Sequence, residues 1–358
     1  MNSKQQDFEL SEAEAMERIV RLKRELGRRV VILGHHYQRD EVIQFADYRG
    51  DSLELSRIAA KEAGDAEYIV FCGVDFMAET AAMLCRPDQT VLMPARNAGC
   101  PMAKMADAHQ AQAAWDTLTQ LWGDDITPIT YQNSYADVKA FCGRHGGAVC
   151  TSANCRALLE WAYGQRGHVL FMPDEHLGTN TALAMGIPRE QIAVWDPEAV
   201  PLSAEDLSGL HKARIVVWKG YCNVHTRFTV EQVRRVREQY GPIIVVVHPE
   251  CRAEVVAAAD ENGSTSYILK RVQNAPAGSR FAIGTEINMV SRLAKDNPDK
   301  LVVPLTRSLC ATMFMTNVFN LLEVLESVAT GQPTGVVRVE PETARWANLA
   351  LERMLAVR

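Results

Sequence analysis

The stretch VVILGHHYQRD, residues 30–40, begins as an apolar, β-branched run and ends in two histidines and a tyrosine. Such a run reads as a buried strand, and a buried strand that delivers polar rings at its tip must aim them at something. The arrangement recurs twice. The first strand ends in His35 and Tyr37; ITPITYQNSYAD (126–137) carries Tyr131 and Asn133 at the same place, and PIIVVVHPEC (242–251) carries His248 and Glu250.

Working outward from each tip, a hydroxyl-bearing segment follows that reads as the opening of a helix: GDSLELSRIAAKEA (50–63), CTSANCRALLEWA (150–162) and NGSTSYILKRV (262–272). The offsets agree, since His35 to Ser52 is 17 residues, Asn133 to Ser152 is 19 and Glu250 to Thr265 is 15. A second strand and turn come next: YIVFCGVDFMAETAA (68–82), VLFMPDEHLGTNTA (169–182) and RFAIGTEINMVSRL (280–293). A third strand then leads to a cysteine in every unit: TVLMPARNAGC to Cys100, RIVVWKGYC to Cys222 and KLVVPLTRSLC to Cys310. Strands alternating with helical patterns predict an α/β fold of parallel sheets covered by helices, and the long period predicts three similar units. The expected units are 1–98, 99–221 and 222–310, with 311–358 completing the first. In that tail, ATMFMTNVFNLLEVLESVATG reads as an amphipathic helix that packs back on the first unit.

Open α/β sheets bind ligands beyond the carboxyl ends of their strands. Three units around a pseudo-threefold axis, with those ends inward, would bring the tips and the cysteines to one site. Packing does not demand a cysteine at the equivalent point of every unit. Three thiolates suit an iron–sulfur cluster, zinc or copper(I); a structural zinc site would normally close with a fourth Cys or His and local C-x2-C pairs, which are absent here. A [4Fe–4S] cluster on three cysteines leaves one iron open to act as a Lewis acid. The local set Cys142, Cys150 and Cys155 lacks counterparts in the other units and reads as structural. Ser52, Ser152 and Thr265 read as hydroxyls at helix N-termini aimed inward, which would suit carboxylates or phosphate.

With 358 residues, 47% apolar and 23% charged, the chain has the composition of a globular protein with a substantial core. A formal charge of −6 without a long basic run argues against nucleic acid and anionic membrane as partners. The longest apolar runs are far shorter than a membrane span, and the polar, helix-like N-terminus is unlike a signal peptide, so a cytoplasmic location is expected. There, nine cysteines are not a disulfide framework.

Together GHHYQ, GDSLELSR, GVDFMAETA, YQNS, TSAN, PDEHLG, WKGYCNVH, VHPEC, GSTS and the lone Cys310, in order over some 280 residues, resemble the quinolinate synthase family. The resemblance implies three αβα domains around a pseudo-threefold axis, with the active site and a [4Fe–4S] cluster at the centre. It implies condensation of iminoaspartate with dihydroxyacetone phosphate to quinolinate in NAD biosynthesis, with release of phosphate and two waters. The cluster ligands would be Cys100, Cys222 and Cys310. Substrate-contacting positions would be His35, Tyr37, Ser52, Tyr131, Asn133, Ser152, His225, His248, Glu250 and Thr265, with His36 structural or secondary. Glu250 is the first candidate for general base, with Tyr37, His225 and His248 as proton shuttles. An L-aspartate oxidase or dehydrogenase would supply the imine. Two other readings of the residues remain open: a zinc hydrolase using His35, His225, His248 and Glu250, which leaves the cysteines idle, and an iron–sulfur sensor, for which no basic recognition segment is visible.

Overall fold

The computed structural model describes residues 10–199 and 203–357, so the first nine residues of the expected N-terminal segment lie outside it. Each apolar run of the sequence becomes a strand of one of three sheets. The first sheet holds β1 (Val30–His35), β2 (Tyr48–Gly50), β3 (Tyr68–Cys72) and β4 (Thr90–Leu92) in the order β2-β1-β3-β4. The second holds β5 (Ile126–Tyr131), β6 (Ala148–Cys150), β7 (His168–Met172), β8 (Ile192–Trp195) and β9 (Ile215–Trp218) in the order β6-β5-β7-β9-β8. The third holds β10 (Ile244–Val247), β11 (Glu261–Asn262), β12 (Arg280–Gly284) and β13 (Leu301–Pro304) in the order β11-β10-β12-β13. Every strand pair is parallel. The α/β class and the three helix-flanked parallel sheets expected from the sequence are therefore present.

Continuous apolar runs form these strands because both faces are covered. In the first sheet Val31, Leu33, Ile69 and Phe71 pack to one side, while Val30, Ile32, Val70 and Cys72 pack to the other. The second side is closed by Ala15 and Ile19 of the helix Glu12–Leu26 and by Leu321 and Leu325 of the helix Val318–Ala329. Burying one such side chain stabilises the fold by roughly 1.5–3 kcal/mol. The N-terminal helix is started by Ser11, whose hydroxyl accepts from Glu14 N–H while the Glu14 carboxylate accepts from Ser11 N–H at 2.9 Å. The amphipathic tail helix lies on the first sheet, as its pattern predicts. The last helix, Pro341–Ala356, instead packs against the helix Ala136–Arg144 and β6 of the second sheet. Gly143 permits that approach, since a Cβ there would stand 1.9 Å from the Trp346 carbonyl oxygen.

In all three sheets the first strand of the unit lies between the second and the third, so the chain reverses its direction of travel across the sheet at β1, β5 and β10. These are topological switch points, where a crevice opens beyond the carboxyl ends. The second unit departs from the repeat by an extra edge strand, β8. Among the described residues no helix is long and apolar enough to cross a membrane.

Candidate functional site

Strand register fixes which residues are equivalent. Gly34 pairs with Cys72, Thr130 with Met172 and Val247 with Gly284, so the next residues, His35, Tyr131 and His248, occupy the same position in the three units. Two residues further stand Tyr37, Asn133 and Glu250. All six line one cavity, together with Ser52, Ser152, Thr265, His225 and the three thiols. The structure thus brings every candidate residue of the sequence into one pocket.

Beyond the third strands, each cysteine sits in a loop fastened by the same backbone bond. The N–H groups of Asp75, Glu175 and Ile287 donate to the carbonyls of Ala98 (3.0 Å), Gly220 (2.9 Å) and Ser308 (2.8 Å), each two residues before its cysteine. The sulfurs of Cys100, Cys222 and Cys310 feel one another's charge, and all are free thiols. Burial pushes the Cys100 thiol up to about 12 and raises those of Cys222 and Cys310. Backbone N–H groups partly offset this: those of Ala103 and Met102 at Cys100, of Val224 at Cys222, and of Met313 and Thr312 at Cys310. A thiolate set with N–H donors aimed at the sulfurs fits an iron–sulfur cluster. Ligand atoms of Cys222, His225 and Glu250 also lie within 4.8 Å of one another, close enough for a single ion. His225 and Glu250, however, already satisfy each other.

Opposite the thiols lies a hydrogen-bonded network. His225 Nδ1 is 2.7 Å from Glu250 Oε2, and its Nε2 is 3.1 Å from Thr285 Oγ1. The Tyr37 hydroxyl is 2.8 Å from Thr285 Oγ1 and 3.3 Å from Thr265 Oγ1. The His225 and His248 rings stack at 4.2 Å. His35 and His248 share a local device: Nδ1 accepts the N–H two residues on, from Tyr37 at 3.1 Å and from Glu250 at 3.3 Å. The proton of each neutral ring therefore sits on Nε2, as a donor.

Burial holds the His35 and His248 imidazoles down at about 3, so both are neutral near pH 7. Burial also drives the Tyr37 and Tyr131 hydroxyls well above the usual phenol range, and the nearby Glu250 charge adds to the shift. For Glu250, burial favours the neutral acid, but His248, His225 and the hydrogen bonds from His225 and Tyr131 outweigh it and hold the carboxyl below its usual range. The pocket is thus a carboxylate ringed by neutral donors. It can hold anionic oxygens and accept a proton at one defined place.

Ser52, Ser152 and Thr265 are not themselves the helix caps. Asp51, not Ser52, caps the helix Ser52–Arg57, accepting from Leu53 and Glu54 N–H, because a carboxylate reaches both donors at 3.0 Å. Ser264 caps the helix Thr265–Gln273, which leaves Thr265 as its first residue. Ser152 lies in a turn before the helix Cys155–Tyr163, held where Asn154 Oδ1 accepts from Thr151 N–H at 2.7 Å. An apolar wall of Val74, Phe76, Met77 and Met313 completes the cavity, and Thr285 joins its polar network. The motifs GVDFMAETA and GTE contain most of these residues, but apolar side chains and a lone threonine carry no chemical signal until the fold places them. His36 stays outside the pocket, with Nε2 3.9 Å from Glu54. Cys142, Cys150 and Cys155 are buried and do not line it.

Comparison with known proteins bears on what this pocket does. Residues 17–356 match the family described as Quinolinate synthetase A protein. The chain is 48% identical over 351 residues to the quinolinate synthase of Bacillus subtilis (strain 168), covering 98% of this chain and 95% of the relative. It is 49% identical over 349 residues to that of Anoxybacillus flavithermus (strain DSM 21510 / WK1), covering 97% and 94%.

Proposed function

The chain belongs to the quinolinate synthase family of enzymes, and from that premise we propose that it condenses iminoaspartate with dihydroxyacetone phosphate to quinolinate, releasing phosphate and two waters, in NAD biosynthesis. The observation that carries this is the meeting of three free thiols and the His, Tyr, Asn and Glu strand tips in one cavity. Cys100, Cys222 and Cys310 would hold a [4Fe–4S] cluster, which supplies an open iron as Lewis acid when bound. The three units are proposed as αβα domains with boundaries near 98, 221 and 310. The cytosol is the proposed compartment, and an L-aspartate oxidase or dehydrogenase the proposed source of the imine.

The chain's own groups divide the work. The Nε2–H donors of His35 and His248 and the amide of Asn133 suit the carboxylates of one substrate, with the hydroxyls of Ser52, Ser152 and Thr265 as further donors to carboxylate or phosphate oxygens. Glu250 accepts the proton released at the condensing carbon, and His225 holds that carboxylate in place. The apolar wall excludes water, so that the reactive imine is protected from hydrolysis.

The test incubates anaerobically purified, cluster-loaded protein with freshly generated iminoaspartate and dihydroxyacetone phosphate and reads quinolinate by mass spectrometry. Product only in the loaded sample supports the proposal, and none from a fully loaded sample with intact substrates overturns it. Acid-labile sulfide distinguishes the cluster from a lone zinc ion.

A further inference from the structure

Tyr37 belongs to the first unit and the His225–Glu250 pair to the third, and the Tyr37 hydroxyl stands 3.5 Å from His225 Nε2. That is too far for a good hydrogen bond. Thr285 closes the gap, with Oγ1 at 2.8 Å from the one and 3.1 Å from the other. It is fully buried. It follows the last residue of β12, where the first and second units carry Gly73 and Pro173, which have no hydroxyl. The hydroxyl is therefore not a by-product of the repeat.

Donor counting fixes the sense of the whole chain. The Glu250 carboxylate can only accept, so His225 donates from Nδ1, and in the neutral imidazole this leaves a lone pair on Nε2. Thr285 gives its single hydrogen to that lone pair, so it must accept from Tyr37. Tyr37 in turn has a lone pair left for Thr265 or for the pocket.

We infer that Thr285 is a positioning residue that connects Tyr37 to Glu250, through His225, as one proton route. The inference rests on the function proposed above. A proton leaving the substrate at the Tyr37 oxygen displaces the Tyr37 proton to Thr285, the Thr285 proton to His225 Nε2 and the Nδ1 proton to Glu250. One proton has left the substrate, one has reached the carboxylate, and no intermediate residue keeps a charge. Only the His225 tautomer has changed.

Thr285→Val keeps the shape and removes the hydroxyl, and Thr285→Ser restores it. In the full-length, cluster-loaded enzyme, Thr285→Val is expected to lower kcat by about 100-fold with KM and iron content unchanged and with an altered solvent deuterium isotope effect. Thr285→Ser recovers most of the rate. Full turnover in the Val variant overturns the inference, as does a Ser variant as slow as Val, which would mean packing alone. An independent readout is the nitrogen NMR signature of the His225 ring, whose Nε2 signal carries the Thr285 hydrogen bond in the natural chain and in Thr285→Ser and loses it in Thr285→Val. An identical signature in Val overturns the inference. Should the natural chain make no quinolinate, the function proposed above fails, and the ring signature alone decides for Thr285.

Discussion

The two halves of the pocket are built by opposite means. On the thiol side the repeat is kept: three cysteines, three loops and three backbone bonds to the carbonyl two residues before each cysteine. On the ring side it is broken: equivalent positions hold His35, Tyr131 and His248, then Tyr37, Asn133 and Glu250, and the only hydroxyl after the second central strand is Thr285. Threefold sameness suits a ligand set that should be equivalent. Proton transfer has a direction, and direction requires that the units differ.

The largest expected effect tests the symmetric half. Cys100→Ser, Cys222→Ser and Cys310→Ser should each lose bound iron and acid-labile sulfide, with turnover down more than about 100-fold and circular dichroism unchanged. Full retention in any one would break the equivalence of the three. Next comes the asymmetric half. Glu250→Gln should retain iron yet slow turnover by about 10²–10⁴-fold, and undiminished turnover would remove Glu250 from the base role.

Acid should weaken the ring side before the thiol side matters. His35 and His248 are held at about 3 in the fold by burial, against an ordinary value of 6.5. Their contribution is complete above about pH 6.5 and is lost as pH falls toward 3, at up to about 1.4 kcal/mol per pH unit for each ring. Urea melts at pH 7 and pH 4.5 should show it, and His35→Gln should flatten the slope. The smallest effect lies outside both halves. Gly143→Ala should cost about 1–3 kcal/mol of stability by pushing Trp346 away, with the kinetics of the surviving fold intact; altered kinetics would tie the second unit's helices to the pocket.

Much of this architecture was legible in the sequence because burial on both faces writes strands as apolar runs, and the tips interrupt those runs with His, Tyr, Asn and Glu. The cysteines were legible because they recur. Helix caps were less so: Ser52 and Asp51 are adjacent and both capable, and only backbone geometry shows that the Asp51 carboxylate receives the N–H groups. The strand β8 was hidden because IAVW, residues 192–195, is a short edge segment with a half-open burial pattern. Thr285 was hidden for a different reason. Its partners lie at 37 and 225, and no local pattern announces a contact spanning 248 residues.

The docking of the helix Pro341–Ala356 on the second sheet has a consequence for biosynthesis. Residues 126–218 emerge from the ribosome long before the helix that covers Ala136–Arg144, so Phe141 and Val149 lack Ala347, Leu351 and Met354 until residues 341–356 have been made. The nascent chain must carry an open greasy flank through the making of the third sheet. Assembly is thus ordered by the chain's own closing stitch: the middle of the molecule is among the last parts to be sealed.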